Sequence, residues 1–158
     1  MLDIARLSEE GQPYTCVASL TFSAFMLEAY FNHLGSLRIR EWDEVERKYA
    51  KLEKYKKFAK AAGIGVNLNI YPQKSLVELF AFRDSMAHGK TTAGNIDIEI
   101  EGALHPSFPT AGWQSFATLS NSERLLADAV LLITELHKAC GYRGDPFSIA
   151  GGGLYSVS

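Results

Sequence analysis

The fold of this chain is decided by residues 13–35, which read PYTCVASLTFSAFMLEAYFNHLG. Apolar side chains recur there at alternating steps of three and four residues, which places them on one stripe of an α-helix. They are Val17, Leu20, Ala24, Leu27, Phe31 and Leu34. Pro13 suits the first turn of such a helix, and Gly35 suits the residue just past its end. The sequence therefore predicts a long first helix over residues 13–35.

The first helix is apolar on more than one face. Residues outside the stripe are also apolar: Phe22, Phe25, Met26, Ala29 and Tyr30. A helix of this kind is either central in its domain or shared with a second subunit. Glu28 is an acid in this apolar run. We expect it to reach the surface or to pair with a buried partner, with support of a nearby site as the alternative.

Three further helices are predicted along the chain. Residues 42–62 begin with acids and end with lysines, a polarity that complements the helix dipole. The third helix opens at Pro72 and runs to about His88. Residues 120–123, Ser-Asn-Ser-Glu, are typical of a capping box. They predict a last helix that runs to about Ala139, with Gly141 as its stop.

Two short segments show the alternation of extended chain. Val66, Leu68 and Ile70 alternate with asparagines, and Ile96, Ile98 and Ile100 alternate with acids. Such alternation is typical of half-buried strands, which could pair with each other. Pro106, Pro109 and Gly112 then indicate a loop. The predicted fold class is mainly all-α: a four-to-five-helix bundle with a short β excursion between the third and last main helices.

Length and composition indicate one domain. The chain has 158 residues, and a hydrophobic fraction of 47% is enough for a real core. We expect a lead segment over residues 1–12, a helical domain over residues 13–142 and a flexible tail over residues 143–158. The net charge of −2 does not indicate a general polyanion binder.

The expected location is the cytoplasm, with no membrane span. Cys16 and Cys140 lie in apolar helical patterns, where a reduced, buried thiol is the commoner state. The start of the chain lacks the apolar core of a signal peptide. The longest apolar stretch, residues 17–27, is too short to cross a bilayer. The histidines and cysteines lack zinc-ligand spacing, so neither a metal nor a cofactor is expected.

The residues best suited to chemistry lie at the end of the third helix. Arg83 carries a planar, permanent cation that suits phosphate oxygens. His88 lies in the last turn of the predicted helix, where the helix dipole favours a positive charge. A histidine in such a position is suited to transfer protons. Asp84 shares the face of His88 and can accept a hydrogen bond from the imidazole. Arg83 and His88 are about 140° apart around the axis, so they line one site only if the helix end faces another surface.

A histidine and an arginine without a metal suit the cleavage of RNA. The 2′-hydroxyl would be the nucleophile, histidine would move protons, and arginine would stabilise charge on the phosphorus oxygens. The structural alternative is that Arg83 forms a salt bridge with Glu78 or Asp84. Spacing alone favours that alternative.

The second helix is rich in cations. They outnumber the four acids of the span: Arg47, Lys48, Lys51, Lys54, Lys56, Lys57 and Lys60. A solvated face is the commoner explanation, and a surface that follows phosphates is the functional one. In the second case Lys48 and Lys51, with Lys90 beyond the third helix, are candidate RNA-binding residues.

Residues 82–89, Phe-Arg-Asp-Ser-Met-Ala-His-Gly, resemble the signature of HEPN domains. In that signature an arginine, a polar residue, three variable residues and a histidine follow one another. Residues 18–35 also resemble the first helix of the family, and the order of the helices agrees. The resemblance covers roughly residues 13–140.

The resemblance implies a bundle that dimerises, with the motif helices of two protomers meeting in one cleft. It implies that Arg83 and His88 are the catalytic pair and that Asp84 orients them. Many members are metal-independent endoribonucleases of toxin–antitoxin or phage-defence systems. We therefore expect a homodimer that acts on RNA, with a protein antitoxin as a further candidate partner. Lys90 departs from one toxin subgroup, which carries a tyrosine there.

Two alternatives stay open. Some HEPN proteins bind RNA or nucleotides without cleaving them, so the chain could be a non-catalytic binding or dimerisation module. It could also be a plain helical assembly protein whose interface is the second apolar face of the first helix.

Overall fold

The computed structural model describes residues 11–87 and 112–148. The described chain forms six α-helices: α1 (Gln12–Arg38), α2 (Trp42–Val45), α3 (Lys51–Ala61), α4 (Lys74–Ala87), α5 (Gly112–Phe116) and α6 (Leu119–Ala139). A 3₁₀ turn, Glu46–Lys48, lies between α2 and α3. The prediction of a mainly helical bundle is confirmed.

Helix α1 is the centre of the bundle. It packs along α6 and α4 and also contacts α3. Five of the six residues of its predicted stripe are fully buried, from Leu20 to Leu34, and Val17 is partly buried. Each fully buried leucine contributes about 2 kcal/mol of burial free energy. The stripe that predicted the helix is therefore also the main source of its stability.

The end of α1 differs from the prediction. Gly35 lies inside the helix, which continues to Arg38 and ends where the Ile39 N–H donates to the Gly35 carbonyl at 2.8 Å. The indole of Trp42 packs against Gly35, and a Cβ at that position would lie 2.1 Å from Trp42 Cε2. The glycine is thus required by the close approach of Trp42 and does not end the helix.

The predicted continuous helix over residues 42–62 is wrong. The backbone is extended at Tyr49 and Ala50, which separates the first short turns from α3. In a continuous helix residues seven apart are about 10 Å apart along the axis. The rings of Trp42 and Tyr49 instead stack with their centroids 6.0 Å apart, and Phe58 packs against Trp42 at 5.8 Å. This aromatic cluster favours the folded-back chain.

The predicted strand at residues 66–70 is also wrong, because side chains and turns satisfy its backbone. Asn67 Oδ1 accepts from the Asn69 N–H at 3.0 Å. Gln73 accepts from the Asn67 N–H and donates to the Gly65 carbonyl at 2.8 Å. Helix α4 begins just after this turn, at Lys74 and not at Pro72. The second predicted strand, residues 96–100, lies outside the described residues.

Helix α6 has a different cap from the predicted one. Thr118 is the N-cap, and its hydroxyl accepts from the Asn121 N–H at 3.2 Å. The predicted capping box at residues 120–123 is therefore wrong, because the N-cap lies two residues earlier than Ser120. Gly141 ends the helix with φ +85°, as predicted, and its N–H donates to the Lys138 carbonyl at 2.9 Å.

Gly112 opens helix α5, so the loop prediction is wrong at that residue. Pro106 and Pro109 lie outside the described residues. Both cysteines are free and buried, as predicted. Among the helices described, none is long and apolar enough to cross a membrane.

Candidate functional site

Arg83 lies near the end of α4 with carboxylates on two sides. Its Nη2 is 3.5 Å from Glu28 Oε2, and its Nη1 donates to Asp84 Oδ1 at 3.1 Å. The guanidinium carbon also lies 5.3 Å from the centroid of the Phe25 ring. The Arg83 side chain stays 26% exposed. The cation is held in place but can still be reached by a ligand.

The predicted salt bridge of Arg83 with Glu78 or Asp84 is confirmed for one of the two acids. Glu78 is not a partner of Arg83, because it pairs with Arg124 at 2.9 Å on another side of α4. Asp84 is a partner, and so is Glu28. Glu28, the unusual acid of the apolar first helix, therefore has an ion-pair partner, which is Arg83.

Asp84 joins Arg83 to a lysine of α3. Its Oδ1 accepts from Lys51 Nζ at 2.6 Å as well as from Arg83. The hydrogen bond from Lys51 is the main cause that holds the pKa of Asp84 below its ordinary value, with a smaller contribution from Arg83. A carboxylate of lowered pKa is a poor proton acceptor near neutral pH. Asp84 is therefore suited to position the two cations rather than to act as a base.

The other predicted site residues have different outcomes. Lys51 lies beside Arg83 and Asp84, so the structure brings three predicted residues together. Lys48 is exposed in the 3₁₀ turn. His88 and Lys90 lie outside the described residues, and the predicted hydrogen bond between His88 and Asp84 lies there with them.

A cleft of about 540 Å³ opens beside this cluster. Helices α1, α3 and α4 and the 3₁₀ turn form its walls, and Glu28, Lys51 and Asp84 line one side. Cavities of this volume are typical of small-ligand sites. Glu28, Lys51 and Asp84 therefore line the cleft, and Arg83 is joined to it through its contacts with Glu28 and Asp84.

Lys54 lies in another wall and was not among the predicted site residues. It is only 6% exposed, and its Nζ donates to Asn32 Oδ1 at 2.6 Å. Glu46 Oε2 is 4.0 Å away, and the Trp42 ring centroid is 5.6 Å away. The sequence shows Lys54 among seven cations in one span, and nothing in that pattern distinguishes the buried one.

The second apolar face of α1 is exposed next to Arg83. Phe22 and Phe25 are 58% and 44% exposed, and their rings meet edge to face at 6.5 Å. Because Arg83 lies over Phe25, the exposed aromatic face is continuous with the cluster. Soluble proteins seldom leave such neighbouring aromatic rings uncovered.

These features define a class of protein: a helical bundle with an arginine–carboxylate–lysine cluster beside an open cleft. Within the described chain, no group of three or more histidine, cysteine, aspartate or glutamate side chains is placed to hold a metal ion. Comparison with protein-family models, with curated proteins and with solved structures finds no significant match to this chain.

Proposed function

We propose that the protein is a metal-independent endoribonuclease of HEPN type that acts as a homodimer. The observation that carries the proposal is Arg83, whose cation is fixed by Glu28 and Asp84 beside an open cleft. Arg83 is the arginine of the motif that resembles the HEPN signature. A fixed, partly exposed guanidinium is suited to bind phosphate oxygens through two parallel hydrogen bonds.

The proposed reaction cleaves the RNA backbone at a phosphodiester. The 2′-hydroxyl oxygen attacks phosphorus while a histidine accepts its proton, and the bond to the 5′-oxygen breaks. That oxygen takes up a proton, so the products are a 2′,3′-cyclic phosphate and a 5′-hydroxyl. His88 is assigned the proton transfer on its sequence position, and Arg83 stabilises the charge that builds on the phosphorus oxygens.

A second copy of the chain is part of the proposal. If the helix of Arg83 continued to His88, the two side chains would be about 140° apart around its axis, so one protomer would place them poorly around one phosphate. The exposed Phe22 and Phe25 lie on the same side as Arg83. If two copies cover this aromatic face, their motif ends approach each other, and each phosphate meets residues of both.

The test is cleavage of a single-stranded RNA by purified protein in EDTA. We expect wild-type protein to give 2′,3′-cyclic phosphate ends. His88→Ala and Arg83→Ala should each cut at least about a hundredfold more slowly, the usual effect of losing a proton-transfer group or a charge stabiliser. Equal rates for all three proteins would contradict the proposal, because a contaminating nuclease would then explain the cleavage.

One observation favours a second candidate, a non-catalytic module that binds RNA or nucleotides. Both predicted cations of the cluster already have carboxylate partners, since Arg83 contacts Glu28 and Asp84, and Lys51 contacts Asp84. Such pairing lowers the attraction for a phosphate. This candidate predicts RNA binding by gel shift with no product ends, and with affinity that falls in Arg83→Ala.

A further inference from the structure

The charges that line the cleft are balanced, which limits what it can bind. Three acids, Glu28, Glu46 and Asp84, face three bases, Arg47, Lys51 and Lys54. A surface that follows several phosphates needs an excess of cations. A balanced cleft is better suited to a polar group that offers both hydrogen-bond donors and acceptors, such as a nucleobase.

Lys54 has donor capacity left over in the wall of the cleft. Its ammonium carries three N–H bonds. Among the described residues, Asn32 Oδ1 is the acceptor within hydrogen-bond distance, at 2.6 Å, whereas Glu46 Oε2 is 4.0 Å away. The Trp42 ring also faces the ammonium, with its centroid 5.6 Å from Nζ. A ligand oxygen in the cleft would give this almost fully buried ammonium a second acceptor at hydrogen-bond distance.

Asn32 and Glu46 complete the set of polar groups around Lys54. Asn32 uses its amide oxygen on Lys54, so its NH₂ group remains a donor. The Glu46 carboxylate can only accept, and its side chain is 30% exposed toward the cleft that it lines. Two donor groups, the Lys54 ammonium and the Asn32 amide, thus lie beside one carboxylate acceptor, Glu46: Asn32 Oδ1 is 2.6 Å and Glu46 Oε2 is 4.0 Å from Lys54 Nζ.

We propose that this cleft is a subsite that reads guanine in single-stranded RNA. The inference rests on the proposed action on RNA and adds the base that the site selects. Guanine presents the O6 acceptor beside the N1–H and N2–H₂ donors. The acceptor meets Lys54 and Asn32, and the two donors meet Glu46. Adenine presents a donor where guanine has O6, so it would leave Lys54 unsatisfied and face Asn32 with a second donor.

The remaining parts of a nucleotide also find partners. The exposed guanidinium of Arg47 lies at the cleft and can bind a phosphate. Ala50, the N-cap of α3, also lines the cleft and makes no side-chain cap hydrogen bond. The volume of about 540 Å³ is sufficient for one nucleotide.

The test measures binding of 5′-GMP, 5′-AMP, 5′-CMP and 5′-UMP to the full chain by calorimetry. We expect GMP to bind at least about tenfold more tightly than the other three, because guanine alone offers two adjacent N–H donors to one carboxylate, and a bidentate pair gives discrimination of this size. Glu46→Gln should reduce the GMP preference over AMP to about twofold or less, because an amide cannot accept from both guanine donors. Glu53→Gln is the matched control, since Glu53 lies on α3, does not line the cleft, and forms an exposed pair with Lys56.

Each outcome decides the inference separately from the proposed function. Equal affinity for GMP and AMP, no binding of any nucleotide, or a preference kept in Glu46→Gln would overturn the guanine subsite. Selective GMP binding without RNA cleavage would keep the subsite and contradict the ribonuclease. RNA cleavage without guanine-selective binding would support the ribonuclease and contradict the guanine subsite.

Discussion

Helix α4 carries an arginine network on each of two sides, and the two networks differ in their surroundings. On one side Arg124 bonds Glu78 at 2.9 Å, while Tyr71 donates to the other Glu78 oxygen at 2.8 Å and its ring lies 4.6 Å from the guanidinium carbon. On the other side Arg83 contacts Glu28 and Asp84 beside the cleft and the exposed Phe25.

The difference in surroundings predicts different roles for the two arginines. Around Arg124 the partners are close and numerous, including Asn121 and Ser75, and they join α4 to α6. Around Arg83 the contact with Glu28 is longer, and a cleft and an uncovered aromatic face lie next to it. We therefore expect the Arg124 network to contribute stability and the Arg83 network to contribute function.

The largest expected effect comes from the aromatic face beside Arg83. Phe25→Glu places a charge on the proposed dimer interface, and we expect a monomer that cleaves RNA at least about a hundredfold more slowly, because the two-copy site is not assembled. Light scattering and cleavage rate measure the two effects. Leu131→Glu is the matched control, since Leu131 on α6 is 44% exposed, like Phe25. A dimer with full activity in Phe25→Glu would contradict this interface.

Removal of the Arg124 side chain should reduce stability. Arg124→Ala leaves the partly buried Glu78 with only the longer ion pair to Lys74 at 3.7 Å, and we expect a loss of about 1–3 kcal/mol in the free energy of unfolding. Arg83→Ala should cost less than about 1 kcal/mol, since its ion pairs are longer, at 3.5 and 3.1 Å against 2.9 Å for Arg124 and Glu78. Urea unfolding measures both values. A larger loss of stability in Arg83→Ala than in Arg124→Ala would contradict the assignment of the structural role to Arg124.

Gly35 supports the wall of the cleft that contains Lys54, because it leaves room for the Trp42 ring next to that lysine. Gly35→Ala forces Trp42 to move, and overpacking of this kind costs about 1–3 kcal/mol. Because the Trp42 ring lies next to Lys54, nucleotide binding should fall as well. Gly65→Ala is the control, since nothing lies within 4 Å of a Cβ built there. An unchanged unfolding midpoint in Gly35→Ala would contradict the close packing.

The two networks should also differ in acid. Burial raises the pKa of Glu78, but hydrogen bonds from Tyr71 and Arg124 outweigh it, so the pKa lies below its ordinary value. The pKa of Asp84 is lowered too, chiefly by Lys51. A carboxyl whose pKa is lower in the folded state than in the unfolded state stabilises the fold. This stabilisation is fully present above the unfolded-state pKa of about 4 and is lost as the pH falls through the folded-state pKa.

We expect Glu78→Gln to flatten the acid dependence of unfolding more than Asp84→Asn does. The Glu78 side chain is less exposed than that of Asp84, 19% against 45%, so solvent screens it less. The slope of unfolding free energy between about pH 5 and pH 3 is the measurement. Equal slopes in wild type and Glu78→Gln would contradict the assigned role of this carboxylate.

The smallest effect is expected at the exposed pair of Glu53 and Lys56, which belongs to neither network. Lys56→Ala should change the unfolding free energy by less than about 0.5 kcal/mol. A larger loss would show that exposed ion pairs contribute to this fold, and the contrast between the two arginines would then need a wider explanation.

The sequence predicted the helices where one periodic pattern dominates. The stripe from Leu20 to Leu34 fixed α1, because its burial is continuous along the helix. The pattern was misleading where distant packing decides. Gly35 was predicted as a helix stop and is instead the contact of Trp42, and the alternation at residues 66–70 is overridden by the side chains of Asn67 and Gln73.

The candidate site was predictable in part for a related reason. Arg83 and Asp84 lie in a motif of adjacent residues, so the sequence could indicate them. Glu28, Lys51 and Lys54 reach the cleft from other helices, and their partners depend on how α1, α3 and α4 pack. Lys51 was indicated by its charge alone, and buried Lys54 was hidden among exposed lysines.

The most direct test of the account makes the same substitution at both arginines. Arg83→Lys and Arg124→Lys each keep the charge and lose the planar fork. With both variants shown to be folded, the rate of RNA cleavage in EDTA should fall about tenfold or more in Arg83→Lys and stay near wild type in Arg124→Lys. Equal rates in the two variants would contradict the claim that Arg83, and not Arg124, takes part in RNA cleavage.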